Sequence, residues 1–154
     1  MSNIKHNIVN AGQFQGVLAP ELKTEALRVL ESIDFPTTKT EAWKYTRLGK
    51  ISNKEFAIQQ GELNAIDGLS IVETSNRLVF LNGFFQAKFS QVSSDVEIKP
   101  LSSGAAISNQ SIKVENEIFN SLNTVFATDG VQIVIKAKQV IEAPIEIIHI
   151  VTGE

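Results

Sequence analysis

The sequence predicts an α+β protein, with a helical lobe in its first half and short strands in its second. Three observations carry that reading. Leu22, Ala26, Val29, Leu30 and Ile33 recur at helical spacing early in the chain. VQIVIK (131–136) alternates with a period of two, and LVFL (78–81) and PIEIIHIV (144–151) are apolar runs of strand length. Between the halves, residues 49–77 hold no sustained period of either kind.

Composition narrows the function classes. Of 154 residues, 43% are hydrophobic and 20% charged, the balance of a chain that packs a core. The length suits one ordinary domain or two small lobes. Net charge is −3, unevenly shared: residues 1–55 hold eight basic side chains against six acidic, residues 56–130 four against eight, and residues 131–154 two against three. So mild an imbalance argues against a nucleic-acid or membrane surface. With no cysteine, disulfides, thiol catalysis and thiolate metal sites are excluded within this chain. No apolar run has signal-peptide or membrane-spanning length, so a soluble, cytoplasmic protein is expected.

Taken in order, residues 1–17 are polar, and Gly12 and Gly16 interrupt any long helix; a mobile start is expected. Pro20 suits the first position of a helix, where its missing N–H costs nothing. The periodic apolar residues then run to Ile33, with Glu21, Lys23, Glu25, Arg28 and Glu31 on other faces. Pro36 stops the helix, because the residue before a proline avoids the helical region. Thr38 and Glu41 have the spacing of a capping box and predict a short helix over 39–48. So short a helix persists only by burying an anchor. Trp43 and Tyr45, the single Trp and single Tyr of the chain, are the anchors at hand.

Residues 49–77 read as a long irregular connection with one short strand. LVFL then ends at Asn82-Gly83, a hairpin-turn dipeptide, with FFQAKF as its return. VEIKPL (96–101) gives another strand. In ENEIFNSLNTVF (115–126), Ile118, Phe119, Leu122 and Phe126 form one helical face. Asp129-Gly130 turns the chain into VQIVIK, whose Val131, Ile133 and Ile135 oppose Gln132, Val134 and Lys136. PIEIIHIV is apolar on both faces, the pattern of a strand covered on both sides. Such a strand needs partners for its N–H and C=O groups, so a longer natural chain that continues into more sheet is expected. The organisation read from these signals is a mobile start (1–17), a helical lobe with its connection (18–77) and a β-rich segment (78–154).

Few residues carry chemistry. His6 has no neighbour at ligand spacing. His149 shares a strand face with Ile145, Ile147 and Val151, while Glu146 points to the other; a packed histidine fits better than a ligand or base. No serine sits in a nucleophile elbow, and no glycine-rich phosphate loop occurs. Basic side chains do cluster around Trp43, at Lys39, Lys44, Arg47, Lys50 and Lys54, with Glu41 the only acid among them. A patch of that kind with an aromatic binds nucleic acid or other anions. A solvated helix face over one buried aromatic accounts for the same residues more simply.

Read as a string, FPTTKTEAWKYT (35–46) resembles the P-x-x-K-x-E-x-W-K-Y-T signature near the start of SufD proteins, from the SufB/SufD family of the SUF iron–sulphur cluster assembly machinery. The matching positions are Pro36, Lys39, Glu41, Trp43, Lys44, Tyr45 and Thr46. LVFLNGFFQAKFS, VEIKPLSSG and IFNSLNTVFATDGVQIVIKAKQVIEAPIEIIHIV resemble the same family in the same order, so the resemblance spans roughly residues 18–152.

The resemblance implies an N-terminal helical lobe, a long right-handed parallel β-helix and a C-terminal helical lobe. PIEIIHIV would be among the first rungs of the β-helix, with most of it beyond residue 154. The implied protein is a non-enzymatic scaffold subunit of a SufBCD complex. It pairs with a SufB-like subunit, and a SufC-like ATPase docks on the C-terminal lobes; neither nucleic acid nor membrane is a partner. The ligands of the assembled iron–sulphur cluster would lie late in the β-helix. No catalytic, cofactor-binding or metal residue is therefore carried onto this chain, and the seven signature residues are expected to be architecture of the lobe.

Two structural expectations follow. Trp43 should be mostly buried, between the short helix and either the first helix or the β half. The 145–151 strand should have a bare face, either Ile145, Ile147, His149 and Val151 or Ile148 and Ile150, through which the chain pairs as a two-fold homodimer.

Overall fold

A computed structural model describes residues 16–53, 58–103 and 117–153. They form an α+β chain that divides into two compact units, one built on residues 16–53 and 117–127, the other on 58–103 and 128–153. The expected boundary at 77/78 is therefore not where the units divide. The helix near residue 120 belongs with the first helix, although β-segments flank it in sequence. Residues 1–15, and with them nearly all of the expected mobile start, lie outside the described residues.

In the first unit, α1 (Pro20–Ser32) begins on Pro20 as predicted and buries Ala26, Val29 and Leu30. It ends earlier than Pro36 requires. Ile33 is already extended, at φ −115° and ψ 149°, two residues before the position that the proline restricts.

The short helix over 39–48 does not form. A 3-10 turn spans Glu41–Trp43, and a single helical turn, α2 (Gly49–Ser52), follows separately. No side chain caps the 3-10 turn, so the Thr38/Glu41 capping box is corrected. Its place is taken by Thr37 and Thr40. The Thr40 hydroxyl accepts from the Thr37 N–H at 3.3 Å, the Thr37 hydroxyl accepts from the Lys39 N–H at 3.2 Å, and the Thr40 N–H donates to the Thr37 carbonyl at 2.9 Å. These local bonds fold TTKT into a tight turn and engage the groups that would have nucleated a helix.

The third helix, α3 (Ile118–Phe126), starts at Glu117, whose carboxylate accepts from the Asn120 N–H at 2.8 Å. A negative charge there also complements the helix dipole. Helices α1 and α3 share one core of Ala26, Leu30, Ile118 and Val125, flanked by Leu27, Ile33, Phe35, Phe119, Leu122 and Phe126. The predicted face of α3 is thus the packed one, but its buried centre also includes Val125, Ser121 and Thr124. The two hydroxyls are satisfied inside the helix, each donating to the carbonyl four residues back at 2.8 Å.

The second unit is organised on β1 (Asn76–Leu81), the middle strand of three. On one side β2 (Phe84–Phe85) returns antiparallel, pairing Phe85 with Phe80 and Phe84 with Leu81. Asn82 and Gly83 take positive φ, at 50° and 86°, as a two-residue hairpin turn requires. On the other side β5 (Ile145–Ile150) runs parallel to β1, in register from Asn76–Ile145 to Leu81–Ile150. A separate antiparallel pair joins β3 (Glu97–Pro100) to β4 (Val131–Val134). At Gly130, just before β4, an added Cβ would stand 2.9 Å from Leu101 Cδ1, so only glycine fits without displacing that side chain. Residues 58–75 form no regular element, so of the 49–77 connection no described residue before β1 forms the short strand expected in it.

Of FFQAKF only Phe84–Phe85 pairs, and Ala87–Phe89 closes into a 3-10 turn. The Ser90 hydroxyl then substitutes for the missing ladder, accepting from the Val79 N–H at 2.9 Å and donating to the Gln86 carbonyl at 2.8 Å. Leu78, Val79 and Leu81 are fully buried, so β1 is covered on both faces. β5 has the same two-sided apolar pattern but, as expected for it, keeps one face bare. Glu146 is its one buried residue, while Ile147 is 50% exposed. No described element covers the side of β5 that carries Ile145, Ile147 and His149.

The joint core of α1 and α3 gives a direct test. Leu30→Ala should cost about 2–5 kcal/mol in chemical denaturation, as deletion of a buried leucine does. A loss below about 0.5 kcal/mol, the size of a surface substitution, would show that α1 does not dock on α3.

Candidate interaction surfaces

The seven signature residues lie on and beside the 3-10 turn of the first unit. Pro36 and Trp43 are partly buried; Lys39, Glu41, Lys44, Tyr45 and Thr46 are exposed. The Trp43 indole packs on Phe119 of α3, with ring centroids 5.0 Å apart, and Phe119 meets Phe35 edge-on at 6.0 Å. Trp43 is therefore an anchor, but its aromatic partner is α3, not α1 or the β half. It is mostly buried, as expected, with a minor part of the indole left in solvent. Tyr45 reverses the expectation, being 92% exposed, with Lys44 Nζ 5.6 Å from its ring centroid. One backbone segment fixes both residues: the Trp43 N–H donates to the Thr40 carbonyl at 2.8 Å, and the Thr46 N–H to the Trp43 carbonyl at 2.9 Å.

Lys39, Arg47 and Lys50 are also exposed. Neither they nor Lys44 pair with any carboxylate among the described residues. Lys54 lies outside the described residues.

A second surface is the outer face of β5. Register places Phe85, Phe80 and His149 side by side across the sheet. Phe80 stacks on His149 at 5.1 Å with planes 16° apart, and lies 5.6 Å from Phe85. His149 is thus packed on one ring face, yet exposed overall. Ile147 and Val151 share its side of the strand, Val151 at 86% exposure, so the bare face is the one with Ile145, Ile147, His149 and Val151. Among the described residues no group of three or more His, Cys, Asp or Glu side chains is placed to hold a metal; His6 lies outside them. Nor is any described helix long and apolar enough to cross a membrane.

Sequence reasoning placed Glu146 opposite His149 but missed what it does. Its carboxylate is buried and accepts from the Ile71 N–H at 2.8 Å, the Ser70 hydroxyl at 2.7 Å and Arg77 Nε at 3.0 Å. Arg77 Nη2 in turn donates to Ser70 Oγ at 2.8 Å. The Ile71 N–H foremost, then the Ser70 hydroxyl, hold the carboxyl down to about 2; burial works against them, and Arg77 adds to them. The cluster ties the irregular 58–75 connection to β1 and β5, which makes it a clamp. Its signal in the sequence was a lone acid inside an apolar strand, with an arginine directly before LVFL.

No family model matches the chain, and no curated protein matches it.

Two measurements check these placements. Trp43→Ala should lower stability by less than the about 3–5 kcal/mol of a core tryptophan, whereas Tyr45→Ala should leave the melting temperature unchanged within error. The reverse order would exchange the roles of the two rings. For Glu146, the carboxyl titrates near 4.5 when unfolded and near 2 when folded. Its stabilising contribution is complete above about pH 4.5 and is lost as pH falls toward 2. Denaturation midpoints should fall across that window, and Glu146→Gln should flatten the fall. Equal slopes in both proteins would mean that the clamp does not set acid stability.

Proposed function

We propose that the chain is the N-terminal part of a scaffold subunit for iron–sulphur cluster assembly, of the SufB/SufD type and closest in character to SufD, with no catalytic role of its own. The observation that carries this reading is the ordered series of segments, starting with the Pro36–Thr46 signature, that resembles the family over residues 18–152. Two features of the fold support it. Among the described residues β5 pairs in parallel with β1 and with no strand on its far edge, as in the entry to a parallel β-helix, where each coil offers its edge and apolar faces to the next. The signature residues behave as architecture where they are buried, with Trp43 anchored on α3.

In this reading the protein works in the cytoplasm. A SufB-like subunit and a SufC-like ATPase meet it through regions outside the described residues, and the cluster is cargo whose ligands lie outside them too. The contribution of the present residues is positional. The helical unit and the first parallel strands each supply packed structure ahead of the rest of the scaffold.

The alternative, in which residues 39–54 form a nucleic-acid or anion-binding module, has the exposed cations and Tyr45 in its favour. The net charge of −3 counts against it, since an extended polyanion meets the field of the whole protein.

Co-expression of the full natural chain with a SufB-like and a SufC-like subunit should give a three-component complex that co-elutes. The 154-residue chain alone should retain no stoichiometric iron or zinc after anaerobic reconstitution. Failure to form the complex, or a full equivalent of metal on this chain, would overturn the reading.

A further inference from the structure

We infer that Tyr45, with Lys39, Lys44, Arg47 and Lys50, forms a docking surface for an acidic segment of a partner protein. This does not rest on the scaffold reading.

An exposed tyrosine alone is ordinary. Tyr45 is distinguished by its support and its surroundings. It is 92% exposed on a segment braced just ahead of it. The Thr37–Thr40 bonds close the turn before it, and Trp43 is seated on Phe119 two residues earlier. A ring presented from a braced turn loses little freedom on docking, and tyrosine supplies much contact area at low side-chain entropy cost.

The charge around it is one-sided. Residues 39–50 hold four basic side chains and one acid, Glu41, and none of the four cations has a carboxylate partner among the described residues. Lys44 already sits over the Tyr45 ring, so a carboxylate that reaches Lys44 brings its neighbouring side chains onto the tyrosine. The complementary partner carries Asp or Glu on either side of an apolar residue, the acids meeting the cations and the apolar residue packing on the ring.

A protein segment fits better than a nucleic acid. Single strands are held by successive bases stacking on several aromatic platforms along a continuous basic groove. Here Tyr45 is the only exposed ring of the stretch, and the chain as a whole carries −3. A short acidic segment feels mainly the local positive charge, because charges beyond about 10 Å are screened at moderate salt.

The test is fluorescence anisotropy with a labelled peptide of alternating Glu and Leu, titrated with the 154-residue chain. Saturable binding is expected, weakening at least about threefold when salt is raised from about 50 to 200 mM. The double variant Lys44→Glu, Arg47→Glu should weaken binding about tenfold or more. Tyr45→Ala should weaken it by a similar factor, and Tyr45→Phe should restore most of the loss. All these side chains are exposed, so each variant should keep the parent melting temperature. Absence of saturable binding, undiminished binding by the charge-reversed variant, or equal binding of a Lys/Leu peptide would overturn the proposal. Tighter binding of oligo-dT than of the acidic peptide would overturn it in favour of nucleic acid.

Discussion

Six residues, Asn76–Leu81, meet more requirements than any others in the second unit. β1 satisfies its backbone groups on two edges, against β2 and against β5, and buries apolar side chains on both faces. Even its first residue is fully committed: the Asn76 side chain donates to the Ala143 carbonyl at 3.3 Å and accepts from the Ser93 N–H at 2.7 Å. Segments far apart in sequence are thereby fixed to one strand, and a buried amide left without either partner would be costly. The Glu146 clamp extends the same principle to the connection before β1. Its carboxylate lies between Arg77 of β1 and the backbone of Ile71, so irregular chain is held by polar contacts where no ladder is available.

What the sequence made legible follows a physical rule. Elements whose signal is local and self-contained were read correctly. Examples are the Asn82-Gly83 hairpin, where positive φ is demanded by the turn itself, and α1, where Pro20 and the apolar spacing agree. Misread elements had two local solutions of similar cost. TTKTE offers a capping box through Thr38 and Glu41, or a turn through Thr37 and Thr40. The turn forms because three threonines are poor helix formers and their hydroxyls reach the backbone two or three residues away. The grouping of α3 with α1 was invisible for a different reason. Periodicity shows that a helix has an apolar face but not which other face it meets.

The same limit explains β5. Its apolar residues on both faces describe what the strand is able to bury, and the described residues supply cover for only one of them. Glu146, Ile148 and Ile150 lie on the covered side, while Ile147 and His149 lie on the bare one. The Phe85–Phe80–His149 row shows how the bare side is partly managed. Phe80 is nearly buried because rings from both neighbouring strands lie beside it. Cross-strand aromatic pairs of this kind stabilise a sheet, and they add to the cover of β1 on the face where Ile147 and His149 of β5 stay exposed.

Candidate site residues were legible as a cluster but not as roles. Trp43 and Tyr45 look equivalent in a sequence, two large aromatics within one signature. Structure separates them, because a three-residue 3-10 turn has one inward position to give and the indole takes it against Phe119. Lys44 and Tyr45 follow at the turn's end and stay in solvent. A segment this short cannot bury both rings, so a sequence that keeps a tyrosine beside cations at that position spends none of its folding energy on the ring. Tyr45 is left free for contacts of its own, beside cations that pair with no carboxylate among the described residues.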